Sequence, residues 1–442
     1  RKRVFGTGVF IFLLSTVWCG LAPDVIQLII ARGGQAIGGA MMIPGSLAII
    51  TDLYEKEQRG KAIGTWSGFT ALATATGPLL GGILVDQFSW RYIFLISVPL
   101  AIAALAILYF RVLESRETAR EGQPDWKGAL LATFGLGLIC YSLIEASEFG
   151  IYNPVVLSTA GLGIFIFGAF IWLEMHIENP MVRLGMFRSL SFSGANLVTL
   201  FFYFSLAGVF FLLPFNLIQV QGYSATAAGA AFIPFPLLVG GLSRWSGGMI
   251  VRIGARPMLM AGPVITSLGF LLLGIYGTGS SYWICFFPGI SLMGLGVAVS
   301  FAPMNTTVMS SVEKSDAGSA SGVNKAVARL SGMLSVALLG ALAITIFGNE
   351  LVSMMQQIDV PKAVQEHMIQ EKANLATASI PDSVSPELEE TLQEAIKKSF
   401  LNSFQTVMYI SAGLVLMGTL CAGLMVSYKP DSKEDVKQNR AI

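Results

Sequence analysis

Arg32 is the one charged residue between Asp24 and Asp52, in the apolar run VIQLIIARGGQAIGGAMMIPGSLAII. A guanidinium at bilayer depth costs about 3 kcal/mol or more unless it is paired or wetted. Arg32 therefore marks either a functional pathway or a structural bond to the backbone carbonyls of a neighbouring helix. Asp24, at the mouth of the same run, is the best available candidate for a proton-carrying carboxylate. Asp52 and Asp86 also fall at run ends, where solvation or helix capping is the competing account. Arg244, Lys325 and Arg329 lie toward the ends of later runs, with the last two one turn apart. They either snorkel to headgroups or build a positive rim that favours anionic or zwitterionic ligands. Glu145 and Glu148 read as interfacial. A second constellation is aromatic and amide: Asn196, Phe201, Phe202, Tyr203, Phe210, Phe211, Asn216 and Gln219 share one run. Such faces suit large amphipathic ligands by stacking and cation–π contact, although some must face lipid. Gln35, Asn305 and Asn324 are further polar positions that line a path or bridge helices.

Catalytic chemistry is not indicated. No nucleophile with a base, phosphate-cradling loop or metal-ligand cluster is legible, and GGQAIGG lacks the preceding strand of a dinucleotide-binding turn. Cys19, Cys140, Cys285 and Cys421 sit singly in apolar runs, and His176 and His367 lie far apart. No enzyme, metal or cofactor is expected.

The elements that must position these residues are membrane spans. Of the residues, 54% are hydrophobic and 12% charged, with a net charge of +1. That composition marks an all-α polytopic membrane protein and gives no field for nucleic acid. Twelve runs are long enough to span: 4–22, 25–52, 61–85, 90–111, 127–147, 153–174, 191–218, 224–250, 257–277, 281–309, 320–347 and 402–427. Lys and Arg of the short connections fall almost wholly in one alternate set of loops, the opposite set holding only Arg91. This bias places residue 1 and the tail in the cytoplasm and makes 348–400 the one long outside loop. Within that loop a short surface helix is expected after Ser385 and Pro386, with Leu388, Leu392, Ala395 and Ile396 on one face.

The run 64–82, GTWSGFTALATATGPLLGG, has glycines four apart and Pro78 near its end. It reads as a helix built for close contact, with Gly77 as the position that closes against a neighbour. The two halves also repeat: Pro44, Gly60 and Gly64 are echoed by Pro303, Gly318 and Gly322 roughly 258 residues later. Two runs precede the loop RIGARP in the second half and none precedes RKRV in the first. The repeat thus predicts roughly 65 further residues and two helices before Arg1.

Together, GGMIVRIGARP, the run Arg32 to Ala40, Glu57-Gln58-Arg59-Gly60, and TGPLLGG followed by WRYIFLISVP carry a resemblance over nearly the whole chain. The sequence resembles the fourteen-span drug/proton antiporter family of the major facilitator superfamily, the EmrB/QacA type. The resemblance implies two pseudo-symmetric six-helix bundles plus two linking helices, with twelve of fourteen spans in this chain. The divisions are 1–112, N-terminal bundle; 113–189, linker and linking helices; 190–428, C-terminal bundle; and 429–442, tail. It implies that Arg32 couples proton movement to substrate release and that Gly77, Pro78, Gly81 and Gly82 form the antiporter motif. The cavity would take in Gln35, Asn196, Phe202, Tyr203, Phe210, Asn216, Gln219, Asn305 and Asn324. Gating loops would carry Arg1, Lys2, Arg3, Arg59, Arg252 and Arg256, although the second copy has Val251 where an acid is common. The function implied is proton-coupled efflux of amphipathic drugs by alternating access in the inner membrane. The partners are lipid, protons and a small-molecule substrate, with an accessory export protein left open. Export of an anionic metabolite or peptide and a non-transporting receptor or scaffold are the alternatives.

Overall fold

A computed structural model describes residues 2–53, 73, 76–77, 79–112, 114, 125–150, 152–177, 180–277, 281–313, 316–358, 360–381 and 384–427. Among these residues the chain is helical, and eleven helices are long and apolar enough to cross a membrane. They leave large apolar side chains such as Phe110 and Phe165 exposed, 78% and 73%, as lipid-facing helices do. Most of the expected run 61–85, with Gly64 and Gly68, lies outside the described residues, as do Arg1, Arg59 and Pro78.

Two compact units form. The first comprises residues 1–122 and 223–236, the second 123–222 and 237–442. In the first, α1 (Lys2–Leu21) packs along α2 (Val25–Leu53), and residues 79–87 are helical. The expected 90–111 span runs through α3 (Tyr92–Leu95) and α4 (Ser97–Arg111), joined at Ile96, whose backbone stays helical. Arg91 stacks on Trp90 and donates to the Ala22 carbonyl at 3.2 Å, tying the start of α3 to the end of α1. Expected run 224–250 is split. α8 (Ala225–Ala231) ends before Pro234 opens α9 (Pro234–Ile253), because proline lacks the donor that would continue the first helix.

The second unit begins with α5 (Trp126–Phe149) and α6 (Pro154–His176), packed on each other. Asp125 and Asn153 cap them, each accepting a backbone N–H at 2.8 Å. α7 (Leu190–Phe215) passes after Pro214 into a π turn over Asn216–Val220. α10 (Ala255–Tyr276) follows α9, and a second π turn, Tyr282–Phe286, leads into α11 (Phe287–Ser310). The core of this unit is aromatic: Phe192, Phe270, Phe286, Phe347, Phe400 and Phe404 are fully buried.

One expectation is corrected here. Residues 348–400 are not mainly a loop, because α12 runs over Ala317–Gln357 and α14 over Pro386–Met425. At 1.5 Å per residue the 41 residues of α12 reach about 60 Å, twice the hydrocarbon thickness. These two helices pack on each other and on the 3₁₀ segment Glu371–Thr377, and α13 (Lys362–Gln370) packs on α12 and on that segment. Leu351, Met368, Leu375 and Leu392 are nearly inaccessible there. A polar surface over a small apolar core reads in sequence as a loop; tertiary packing is what keeps both helices running. The expected face of the 386 helix is present, with Leu392, Ala395 and Ile396 buried.

Candidate functional site

In the first unit a polar chain crosses the α1/α2 contact. Arg32 Nη1 donates to Gln35 Oε1 at 3.0 Å, and Gln35 Nε2 donates to Thr16 Oγ1 at 2.7 Å. Residues 32 and 35 lie one turn apart, so a single face of α2 carries both. Gln35 and Thr16 are buried, while Arg32 lies 5.8 Å from the Phe94 ring. Arg32 is thus positioned by a neutral amide, and it makes no ion pair with a described residue. Asp24 is used otherwise. Its two oxygens accept from the backbone and side-chain N–H of Gln27 at 2.8 and 3.1 Å, in the first turn of α2. Eight residues separate it from Arg32, about 12 Å along the helix. The structure therefore does not bring Asp24 to the guanidinium. Thr16 completes the chain, and its sequence signal is weak: a hydroxyl in an apolar helix usually bonds its own backbone.

The end of the TGPLLGG stretch forms a seat for α8. Gly82 is buried, and a Cβ placed there would strike the Ala225 carbonyl and lie 2.8 Å from Thr226 Cα. One turn later Asp86 accepts from the Ala225 N–H at 3.1 Å and the Thr226 N–H at 2.7 Å. A carboxylate here caps a helix remote in sequence and complements the positive end of its dipole. Hydrogen bonds from Thr226, above all, hold the Asp86 carboxyl below its usual range. Among the described residues a Cβ at Gly77 or Gly81 would meet nothing within 4 Å, and the close approach in this stretch is at Gly82.

In the second unit Asn324 of α12 donates to Asn196 Oδ1 at 3.1 Å and to Thr199 Oγ1 at 2.7 Å, both on α7. All three are buried beside an apolar cluster of Met186, Phe192, Ala195, Val308 and Ala320. Asn196 Nδ2 in turn donates to the Phe192 carbonyl. Of the two readings open for Asn324, bridging helices is the arrangement found. Phe202 is also buried, while Tyr203 and Phe210 are half-buried on the α7 face continuing from Asn196. Asn305 donates to its own Phe301 carbonyl on α11. Asn216 is used at the far end of α7, where Nδ2 reaches the Gly277 carbonyl at 2.9 Å. Gln219 lines a cavity of about 320 Å³ with Ala376, Ile380, Glu389, Gln393 and Lys397, beside the extended helices. These two amides are thus separated from the Asn196 cluster by five turns of helix or more.

Lys325 and Arg329 lie on the opposite side of α12 from Ser331 and Ser335, on an exposed stripe shared with Gly322, Met333 and Val336. Among the basic connections, Lys2 donates to the Tyr109 carbonyl and Arg3 pairs loosely with Glu114 at 3.7 Å. Arg256 Nη2 donates to the Gly423 carbonyl, and Arg252 is exposed. Arg183, not singled out in sequence, pairs with Asp316 at 2.8 Å at the start of α12.

Comparison with known proteins places this arrangement. The model of the Major Facilitator Superfamily matches residues 1–336. The Multidrug resistance protein Stp of Mycobacterium tuberculosis is 34% identical over 376 residues, 84% of this chain and 68% of that protein. Multidrug resistance protein 3 of Bacillus subtilis is 28% identical over 431 residues, 95% of this chain and 82% of that one. Among solved structures, a bacterial homolog of the human lysosomal transporter Spinster, inward-facing and unoccupied, superposes with a TM-score of 0.61 at 17% identity. That match covers 98% of this chain and 85% of the other, and at such identity it is a likeness of fold. An all-helical, multi-pass chain matched by the family model over most of its length belongs to the major facilitator superfamily and is a membrane transporter.

Proposed function

We propose that this chain is a proton-coupled exporter of amphipathic drugs, of the fourteen-span antiporter type, working by alternating access in the inner membrane. Its termini lie in the cytoplasm and its bundles divide at 1–112 and 190–428 around the linking helices. The observation that carries the reading is Arg32, a cation inside a span that is oriented by the neutral Gln35–Thr16 pair. A guanidinium held in that way keeps its charge available to a carboxylate that gains and loses a proton. Each change of that carboxylate's charge then alters the balance between inward- and outward-open forms, which is what coupling requires. Two of its curated relatives are named for multidrug resistance, which supports drugs as the cargo. Aromatic Tyr203 and Phe210 on the partly open face of α7 supply stacking surface. In cells, a fluorescent lipophilic cation should be expelled by the protein and retained once the proton gradient is collapsed. Arg32→Ala should behave like the collapsed gradient, and efflux that survives collapse would refute the proposal.

A second reading keeps the fold and changes the cargo. Lys325 and Arg329 on the exposed stripe of α12 favour an anionic metabolite or peptide. Competition by organic anions against the lipophilic cation, lost in Lys325→Gln, is the outcome that reading requires.

A further inference from the structure

Glu174 is the third residue from the end of α6 and one of the least accessible ionisable groups in the chain, at 4% exposure. Its Oε2 accepts the Val182 N–H at 3.0 Å. Asp125, at the start of α5, uses Oδ1 in the same way, accepting the Gly128 N–H at 2.8 Å. Each carboxyl therefore spends one oxygen on a backbone donor. The other two oxygens, Glu174 Oε1 and Asp125 Oδ2, are buried and have no donor. They flank the same point: a Cβ on Gly128 would meet Asp125 Oδ2 and, at 2.8 Å, Glu174 Oε1. The absence of a side chain at Gly128 is what lets them meet.

Two carboxylates cannot both stay ionised in such a place. Each like charge raises the cost of the other, and burial removes the water that would screen them. A carboxylate oxygen only accepts, so a second carboxylate satisfies it only by bringing a proton. We propose that Asp125 and Glu174 share one proton and form a proton-binding site that clasps the start of α5 to the turn after α6. This site is separate from Arg32 and Asp24, and it does not depend on what the protein exports.

Among the described residues, the charged groups on the surrounding elements are engaged or placed elsewhere. Lys127 on α5 is exposed, and Glu145 lies at the other end of that helix beside Tyr141. His176 is exposed and bonded to the Trp172 carbonyl. Arg183 is engaged by Asp316, and Arg188 is exposed. On α12, Lys325 and Arg329 lie on its exposed stripe and Glu350 near its far end. Asp125 faces Glu174 across the space that a Gly128 side chain would fill.

The test uses the purified full chain in lipid nanodiscs. Infrared difference spectra should show a protonated-carboxyl C=O band at pH values where an ordinary carboxyl is fully ionised, lost as the pH is raised further. Glu174→Gln should abolish the band, since the glutamine amide then donates to an ionised Asp125; Glu145→Gln should leave it. Thermal unfolding supplies a second readout. The folded pair holds a proton that the unfolded chain releases in the ordinary carboxylate range, so wild-type stability should fall as pH rises. Its midpoint should drop by several degrees as the pH rises upward from the ordinary carboxylate range, and that of Glu174→Gln should stay flat. Should Glu174→Gln fold poorly, Asp125→Asn is read by the same two measurements. A wild type without the band, or a variant with the wild-type band or slope, would overturn the shared proton.

Discussion

Replacing Gly82 by alanine should oppose what the same change does at Gly81. Both lie in the helical stretch 79–87, where alanine is preferred over glycine by up to about 1 kcal/mol. At Gly81 the new methyl meets nothing within 4 Å, so the helix preference is all that remains and the protein should gain a few tenths of a kcal/mol or more. At Gly82 the methyl meets the Ala225 carbonyl and Thr226 Cα. Those are main-chain atoms, which cannot rotate aside, so α8 must move. Overpacking of this kind costs about 1–3 kcal/mol, which leaves a net loss of up to about 2 kcal/mol after the full helix preference is subtracted. A loss of 1.4 kcal/mol is tenfold in population of the arrangement with α8 seated on this helix. Thermal unfolding of the purified variants, with efflux measured alongside, checks both signs. Should Gly82→Ala melt at or above Gly81→Ala with normal efflux, the backbone contact is not what the glycine is for.

The remaining predictions concern polar groups. Asp86→Ala should lower the unfolding midpoint by removing the acceptor for the Ala225 and Thr226 N–H groups. Because the folded carboxyl is held below its ordinary range, its contribution is complete above about pH 5 and is lost as pH falls through the depressed value. The difference between wild type and variant should therefore be constant from mildly acidic to neutral pH and shrink only in strong acid. A difference that grows on acidification would contradict the capping role. Asn324→Ala breaks two bonds between α12 and α7 and should cost about 1–2 kcal/mol. A double-mutant cycle with Asn196→Ala should show coupling, and strict additivity would mean that the pair is not joined.

Much of this molecule was legible from residue chemistry. Eleven of the twelve expected spans correspond to described helices, because each run of about 20 apolar residues has to bond its backbone internally. The surface helix that starts after Ser385 at Pro386 follows from a local rule of the same kind. What failed was the region 348–400. There a hydropathy reading stops at the membrane edge, while α12 and α14 continue on the strength of contacts with each other and with the 3₁₀ segment Glu371–Thr377. In the candidate site the pairings were not legible. Gln35 was visible and its partner Thr16 was not, because nothing in a sequence of one chain says which hydroxyl lies 19 residues away across a helix contact.

The sequence by itself determined the class of solvent, the helices and which polar groups would be expensive. Those are properties of single residues and short windows, where transfer energies and backbone hydrogen bonding act alone. Only the tertiary structure decided how those groups are matched. Asp86 finds the α8 amides 139 and 140 residues on, Asn324 finds Asn196 and Thr199, and Asp125 finds Glu174 across the space left by Gly128. Each pairing depends on the relative placement of whole helices. Side-chain packing sets that placement, and no local pattern encodes it.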